Sequence, residues 1–249
     1  MKGLLFVYAV TAFGMFGSII RPFYGFVAYV ALAMLRPASL WAHSVGEGRY
    51  SLMIALAMLT SWAIRGFGNW KLGKGRTIVF LFSAFWMWSV FLASFSQYEH
   101  LAWHFVEQIG KILLPFLAGI TTIRNIKDLK VLAWTIVICE GFVAYEMNMY
   151  YFSGFNYLWH NGFGSLDNNG AAAAFVASLG IAFFLFLNDD RLWAKAILGG
   201  CMAFLLHAIL FSFSRGAMLS TAIGMTISFF IIKKKPQHYA LFALSLIHI

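Results

Sequence analysis

Apolar residues fall along this chain in long, nearly unbroken blocks separated by short basic turns. Nine such blocks can be marked, at Leu4–Ile20, Phe23–Trp41, Ser51–Phe67, Thr77–Phe95, Ile109–Ile123, Leu129–Tyr151, Gly170–Leu187, Leu192–Phe213 and Gly216–Ile232. A helix rises 1.5 Å per residue, so blocks of this length match a hydrocarbon core about 30 Å thick. No block shows the sustained two-residue alternation of a membrane β-barrel strand. The pattern predicts an all-α, polytopic integral membrane protein with about nine transmembrane helices. Two blocks carry an internal irregularity. Arg36-Pro37 interrupts the second and predicts that its last turn kinks or unwinds, while the fifth is short and contains Pro115. Just before the fifth lies "YEHLAWHFVEQIGK", in which His100, His104, Glu107 and Lys111 share one helical face. It predicts an amphipathic interfacial helix leading into the fifth span.

Composition agrees. Of 249 residues, 61% are hydrophobic and only 11% charged, against about a quarter charged in an average globular domain. The net charge of +9 is no sign of nucleic-acid binding, because the basic residues sit in the turns between apolar blocks. Counted on alternate sides, thirteen fall on one side (Arg21; Arg65, Lys71, Lys74, Arg76; Arg124, Lys127, Lys130; Arg191, Lys195; Lys233, Lys234, Lys235) and five on the other (Lys2, Arg36, Arg49, Lys111, Arg215). The positive-inside rule makes the first side cytoplasmic and puts the N-terminus, His100, Asp167 and Arg215 outside. Cys139 and Cys201 lie within apolar blocks and predict inert thiols, with no disulfide or metal framework. The first block lacks a cleavage site and reads as a retained span. The final residues, Leu244–Ile249 ("LSLIHI"), match one translated frame of a transposon end used in shotgun library preparation. They are expected to be a non-native tail (244–249) on a transmembrane domain of residues 1–243, with the natural protein continuing beyond.

Four clusters are candidates for chemistry. Arg215 in "FSFSRGAMLS" is a permanent cation with a planar fork suited to phosphate oxygens, beside Gly216 and the hydroxyls of Ser212 and Ser214. The competing reading is a snorkelling arginine at a helix end. Asp167, Asn168 and Asn169 in "GSLDNNGAAAAF" precede a helix opening at Gly170. They fit an N-cap, and alternatively hold acceptor or sugar hydroxyls. His100 and His104 have a spacing that zinc accepts, but no third ligand is evident, so no metal is expected. Glu107 and Lys111 form a favourable i,i+4 pair, and Lys111 sits where an anionic headgroup can reach it. Glu140, in the middle of a block, must be paired, protonated or in a wet cavity. It suits a structural hydrogen bond or a proton relay. There is no phosphate-cradling glycine loop and no nucleotide signature.

At these residues the chain resembles the O-antigen ligase and polymerase superfamily, most of all the O-glycosylation ligases associated with exosortase systems. "RPFYGFVAYVALAMLRPASLW" is similar to their N-terminal pair of spans. Lys111 in "GKILLP", the "DNNGAAAAF" helix start, and Arg215 four residues before Leu219 in "SRGAML" resemble motifs of that group. "VAYEMNMYY" stands where the subgroup has a lysine- and glycine-rich stretch. The resemblance implies ten to twelve spans in the bacterial inner membrane and transfer of a glycan from a polyprenyl-diphosphate carrier to a glycan, lipid or protein acceptor at the external face. It assigns Arg215 a catalytic role and Lys111, Asp167, Asn168 and Asn169 substrate binding, with membrane lipid as surroundings and no metal or nucleotide cofactor. It also implies a catalytic histidine in an external loop that would follow these residues. Polymerisation is the alternative within the superfamily, and a multi-span transporter the alternative outside it.

Overall fold

The computed structural model of the protein describes residues 2–46 and 48–231. Lys233–Lys235 and the expected non-native tail at 244–249 lie outside them. The described residues form helices α1 (Lys2–Ile20), α2 (Pro22–Leu35), α3 (Pro37–Leu40), α4 (Tyr50–Ile64), α5 (Arg76–Ala93), α6 (Glu99–Thr122), α7 (Ile126–Phe152), α8 (Tyr157–Asn161), α9 (Asn168–Asn188), α10 (Leu192–Phe211) and α11 (Arg215–Ile231). No strand occurs among the described residues; Phe163 and Leu166 make one isolated bridge. Six helical segments are long and apolar enough to cross a membrane: α1, α2 continued by α3, α5 with the turn before it, α6, α9 and α10. They mark a multi-pass membrane protein. Of the remaining long helices, α4 and α11 are shorter but apolar, and α7 carries Glu140 and Glu146 within its length.

Two predicted irregularities resolve differently. At Arg36-Pro37 the helix does break. Proline disfavours the helical region for the residue before it, and Arg36 adopts a left-handed conformation (φ 43°) while Pro37 opens the four-residue α3. At Pro115 it does not. The expected interfacial helix and the fifth span form one continuous helix, α6. Pro115 lacks the N–H that would bond the carbonyl of Lys111, four residues earlier. That carbonyl instead accepts from the Tyr29 hydroxyl at 3.4 Å, so the proline leaves no orphaned group and the apolar flanks carry the helix through.

Hydrogen bonds between junctions divide the molecule into two ends. At one, Arg65 donates to the carbonyl of Ile19 (2.7 Å) and the N–H of Asn69 to the carbonyl of Thr121 (2.8 Å). Here too Arg21, in the α1–α2 turn, grips Asp128 in the first turn of α7. Its Nη1 donates to Asp128 Oδ1 at 2.9 Å, its Nη2 donates to Oδ2 and also to the Thr122 carbonyl (3.0 Å), and the Arg124 N–H donates to Oδ2 at 2.8 Å. The α9–α10 turn joins this end through a groove shared with the start of α7. The basic turns of the chain collect here. At the opposite end Arg36 meets Ser165, and the starts of α8 and α9 are tied to the end of α10.

The main core lies between α2, α7, α9 and α10 and is built on Val143, Ala144, Phe175, Leu205 and Ile209, all at most 1% exposed. Small residues let these helices close in. Ala171 and Ala172 are buried on α9, and a Cβ added to Gly141 would stand 2.7 Å from the Cys201 sulfur of α10. Smaller clusters join α2 to α4 through Leu32 and Ile54, and α4 to α6 through Met58, Trp62 and Ala118. Helix α5 leans chiefly on α6, with Trp86 donating to the Val106 carbonyl at 3.1 Å and Phe82 against Phe116. Its other faces are apolar and bare.

Candidate functional site

Of the residues singled out from the sequence, Asp167, Asn168, Asn169 and the turn that carries Arg215 come together at the end opposite the basic turns, around the segment joining α8 to α9. This segment turns tightly. Gly162 and Gly164 both have φ of 66°, a conformation that glycine adopts without steric cost. Any Cβ on Gly164 would also run into the Arg36 side chain, whose Nη1 donates to Ser165 Oγ at 2.8 Å. The turn delivers Asp167 to the N-cap of α9, where Oδ1 accepts from the N–H of Gly170 at 2.8 Å. The N-cap reading of Asp167 therefore holds, and α9 opens at Asn168, two residues earlier than expected. Asn169 donates weakly to Asp167 Oδ2 (3.4 Å) and stays exposed. Asn168, half-buried, donates to the carbonyl of Ser212 at 2.9 Å.

That last bond links the α9 start to the α10–α11 turn. Asn156 adds a second, donating to the Phe211 carbonyl at 2.7 Å. In the turn, Phe213 takes a left-handed conformation (φ 54°), and Ser214 Oγ accepts from the Ala217 N–H at 3.3 Å, capping α11. Ser212 Oγ donates to the Ile209 carbonyl and accepts from the Ser214 N–H. Both serines are buried, at 0% and 3% exposure. Both hydroxyls are buried in the turn and bonded within it, rather than displayed beside Arg215 as the sequence suggested. Arg215 is the first residue of α11, exposed, and without a side-chain partner among the described residues. A cation at a helix N-terminus opposes the helix dipole by roughly 0.3–1 kcal/mol. A guanidinium fork and free helix-terminal N–H groups are each of a kind that accepts an anion.

Lys111 stands apart. It lies on exposed α6, 2.6 Å from Glu107 in an i,i+4 ion pair, and α6 packs on α2, α4 and α5 rather than on α9 or α11. His100 and His104 are exposed on the same helix, and among the described residues no three metal-ligating side chains converge.

Two features were not assigned a role from sequence. Arg36 reaches Ser165 from the helix break. It lies fifteen positions along from Arg21, roughly 22 Å of helix, and Glu140 lies twelve positions along from Asp128, roughly 18 Å, so the two stand at comparable depth. Glu140 is 5% exposed, makes no hydrogen bond among the described residues, and feels the charge of Arg36. The available signal was a cation directly before a proline inside an apolar block. The second feature is a pair between α7 and α10. Asn148, 2% exposed, donates through Nδ2 to the Phe204 carbonyl (2.9 Å), which turns its Oδ1 toward His207 Nδ1 at 2.6 Å. The ring proton must then sit on Nδ1, leaving Nε2 with its lone pair. Lone polar residues within apolar blocks were the clue to this pair.

No curated protein and no solved structure matches the chain. The sequence model of a family of unknown function, DUF5935, matches residues 1–157, which takes in the helix break at Arg36 and α1 to α7, and ends before Asp167. Since that match covers more than half of the chain, the protein belongs to the family of unknown function DUF5935.

Proposed function

We propose that this protein is a nine-span protein of the bacterial inner membrane that transfers a glycan from a polyprenyl-diphosphate carrier to an acceptor at the external face. The observation that carries the reading is Arg215: an exposed guanidinium at the N-terminus of α11 without a side-chain partner among the described residues, bonded through its own turn to the Asp167–Asn168 start of α9. Departure of a sugar from a diphosphate builds negative charge on the leaving oxygens. With no metal in the reaction, a fixed cation and helix-terminal N–H groups are the means of meeting it. Asp167 and Asn169, exposed beside it, face the hydroxyls of sugar or acceptor. The excess of basic residues at the other end supports the orientation, with that end cytoplasmic.

A lipid-linked glycan transfer assay on the protein expressed from its whole gene tests this. Arg215→Ala is expected to abolish transfer while expression and insertion persist. Arg215→Lys recovers little, because a point charge lacks the bidentate fork. Near-normal transfer by Arg215→Ala would reduce Arg215 to an anchoring side chain. One observation favours a second reading as a transporter: Glu140 is buried, without a hydrogen bond among the described residues, and within reach of the Arg36 charge at a broken helix, an arrangement used for coupling ions. Solute uptake lost in Glu140→Gln, with glycan transfer absent throughout, would select that reading.

A further inference from the structure

Between α7, α9 and the α9–α10 turn runs a groove of about 590 Å³, at the end of the molecule opposite Arg215. Its lining changes character along its length. Lys130, Asp189 and Arg191 stand at its polar end, while Val131, Ile138 and Leu185 make its apolar stretch, the first two with exposed faces, and buried Cys139 is also in the lining. Trp134 and Trp193 also line it, packed on one another with ring centroids 6.2 Å apart. From Lys130 to Cys139 the groove follows nine residues of α7, about 13 Å, close to one leaflet of a hydrocarbon core about 30 Å thick.

The charges at the polar end are not equivalent. Asp189 is fully engaged by Arg191, which donates from Nε at 2.9 Å and Nη2 at 2.6 Å. These bonds hold its carboxyl down at about 2. Arg191 also lies 4.6 Å over the Trp193 ring. Lys130 is exposed and, although its charge reaches the Asp189 carboxylate, forms no ion pair among the described residues. An ammonium without an ion pair among the described residues therefore stands at one end of an apolar groove about one leaflet long, whose lining includes two indoles of the kind that settle at headgroup level. A soluble anion would have no use for the apolar depth, and a neutral hydrocarbon none for the cation.

We propose that this groove binds one anionic phospholipid, its phosphate on Lys130 and an acyl chain along Val131, Ile138 and Leu185. The proposal is independent of the glycan-transfer reading. The test is to reconstitute the whole chain into dioleoyl-phosphatidylcholine vesicles containing dioleoyl-phosphatidylglycerol, extract it into detergent, and count retained lipids by native mass spectrometry. Phosphatidylglycerol should be retained in preference to phosphatidylcholine, at one per chain. Lys130→Gln, at an exposed position that leaves the fold intact, should weaken retention about fivefold. Ile138→Trp, which fills the apolar stretch, should abolish it, and Lys74→Gln, at the same end but outside the groove, should change nothing. Equal retention of the two lipids, or unchanged phosphatidylglycerol retention in Lys130→Gln, overturns the proposal. So does an equal loss in Lys74→Gln, which would indicate only a diffuse surface charge. If Ile138→Trp does not yield monodisperse protein, Lys130→Gln against Lys74→Gln decides alone.

Discussion

Replacing Asp128 by asparagine keeps the shape of the side chain and removes its charge. The carboxylate accepts from both terminal nitrogens of Arg21 and from the Arg124 N–H, and the two side chains are only 17% and 9% exposed. Breaking a buried pair by removing one partner costs about 3–5 kcal/mol, because the other charge is stranded. An exposed pair is worth about 0–1 kcal/mol. This pair is shielded but sits at an end of the helix bundle that water can reach, and Arg21 keeps the Thr122 carbonyl. A loss of about 2–3 kcal/mol follows. For a chain of this size that lowers the melting temperature by about 5–10 °C, measurable by thermal unfolding in detergent. The double variant Arg21→Met/Asp128→Asn should lose less than the sum of the single losses, since neither charge is then stranded. The pH dependence has a defined sign. Arg21, followed by the backbone donors, holds the Asp128 carboxyl below the usual carboxylate range. Its contribution is therefore complete above the unfolded value of about 3.9 and disappears as pH falls through the lower native value. The gap between wild type and Asp128→Asn should be full at neutral pH and close only in acid. A melting shift under 1 °C at neutral pH, or strict additivity in the double variant, would refute the reasoning.

Two further outcomes test the packing. Gly141→Val should destabilise the α7–α10 contact, because even a Cβ there meets the Cys201 sulfur at 2.7 Å; adding Cys201→Ala should restore part of the loss, read as melting temperature. Gly164→Ala should cost about 1–2 kcal/mol through its positive φ alone and should displace Arg36, whereas Ser165→Ala, which removes one half-exposed hydrogen bond, should cost less.

Much of the fold was legible because apolar helices announce themselves by length and hydropathy: each of the nine blocks falls on a long helix, although α6 begins ten residues before its block and six helical segments are long and apolar enough to cross a membrane. The break at Arg36-Pro37 was legible too, since a proline acts on the residue before it. Continuity through Pro115 was not: it depends on Tyr29, which lies 82 residues away and supplies the donor for the freed carbonyl. The Asp167 cap could be read because capping is local, and the link from Asn168 to Ser212 could not, because it joins positions 44 residues apart. Lys111 shows the opposite limit. Its motif placed it beside the other candidates, while the packing of α6 sets it against a different part of the bundle. Ser212 and Ser214 looked available in sequence only because the demands of the turn they build are invisible there.

Helix α2 touches α1, α4, α6 and α7, yet it is the second helix to leave the ribosome. Arg21, at its head, must wait for Asp128, 107 residues later. At synthesis rates of about 5–20 residues per second, that interval is roughly 5–20 s. During it the first two helices can cross the bilayer as a hairpin, but the guanidinium between them has no carboxylate to hold. The clasp therefore fastens late: the α1–α2 turn can be tied to α7 only when the head of α7 has emerged. A chain halted before Asp128 should display a loosely docked N-terminal hairpin, the form that membrane quality-control proteases would meet first.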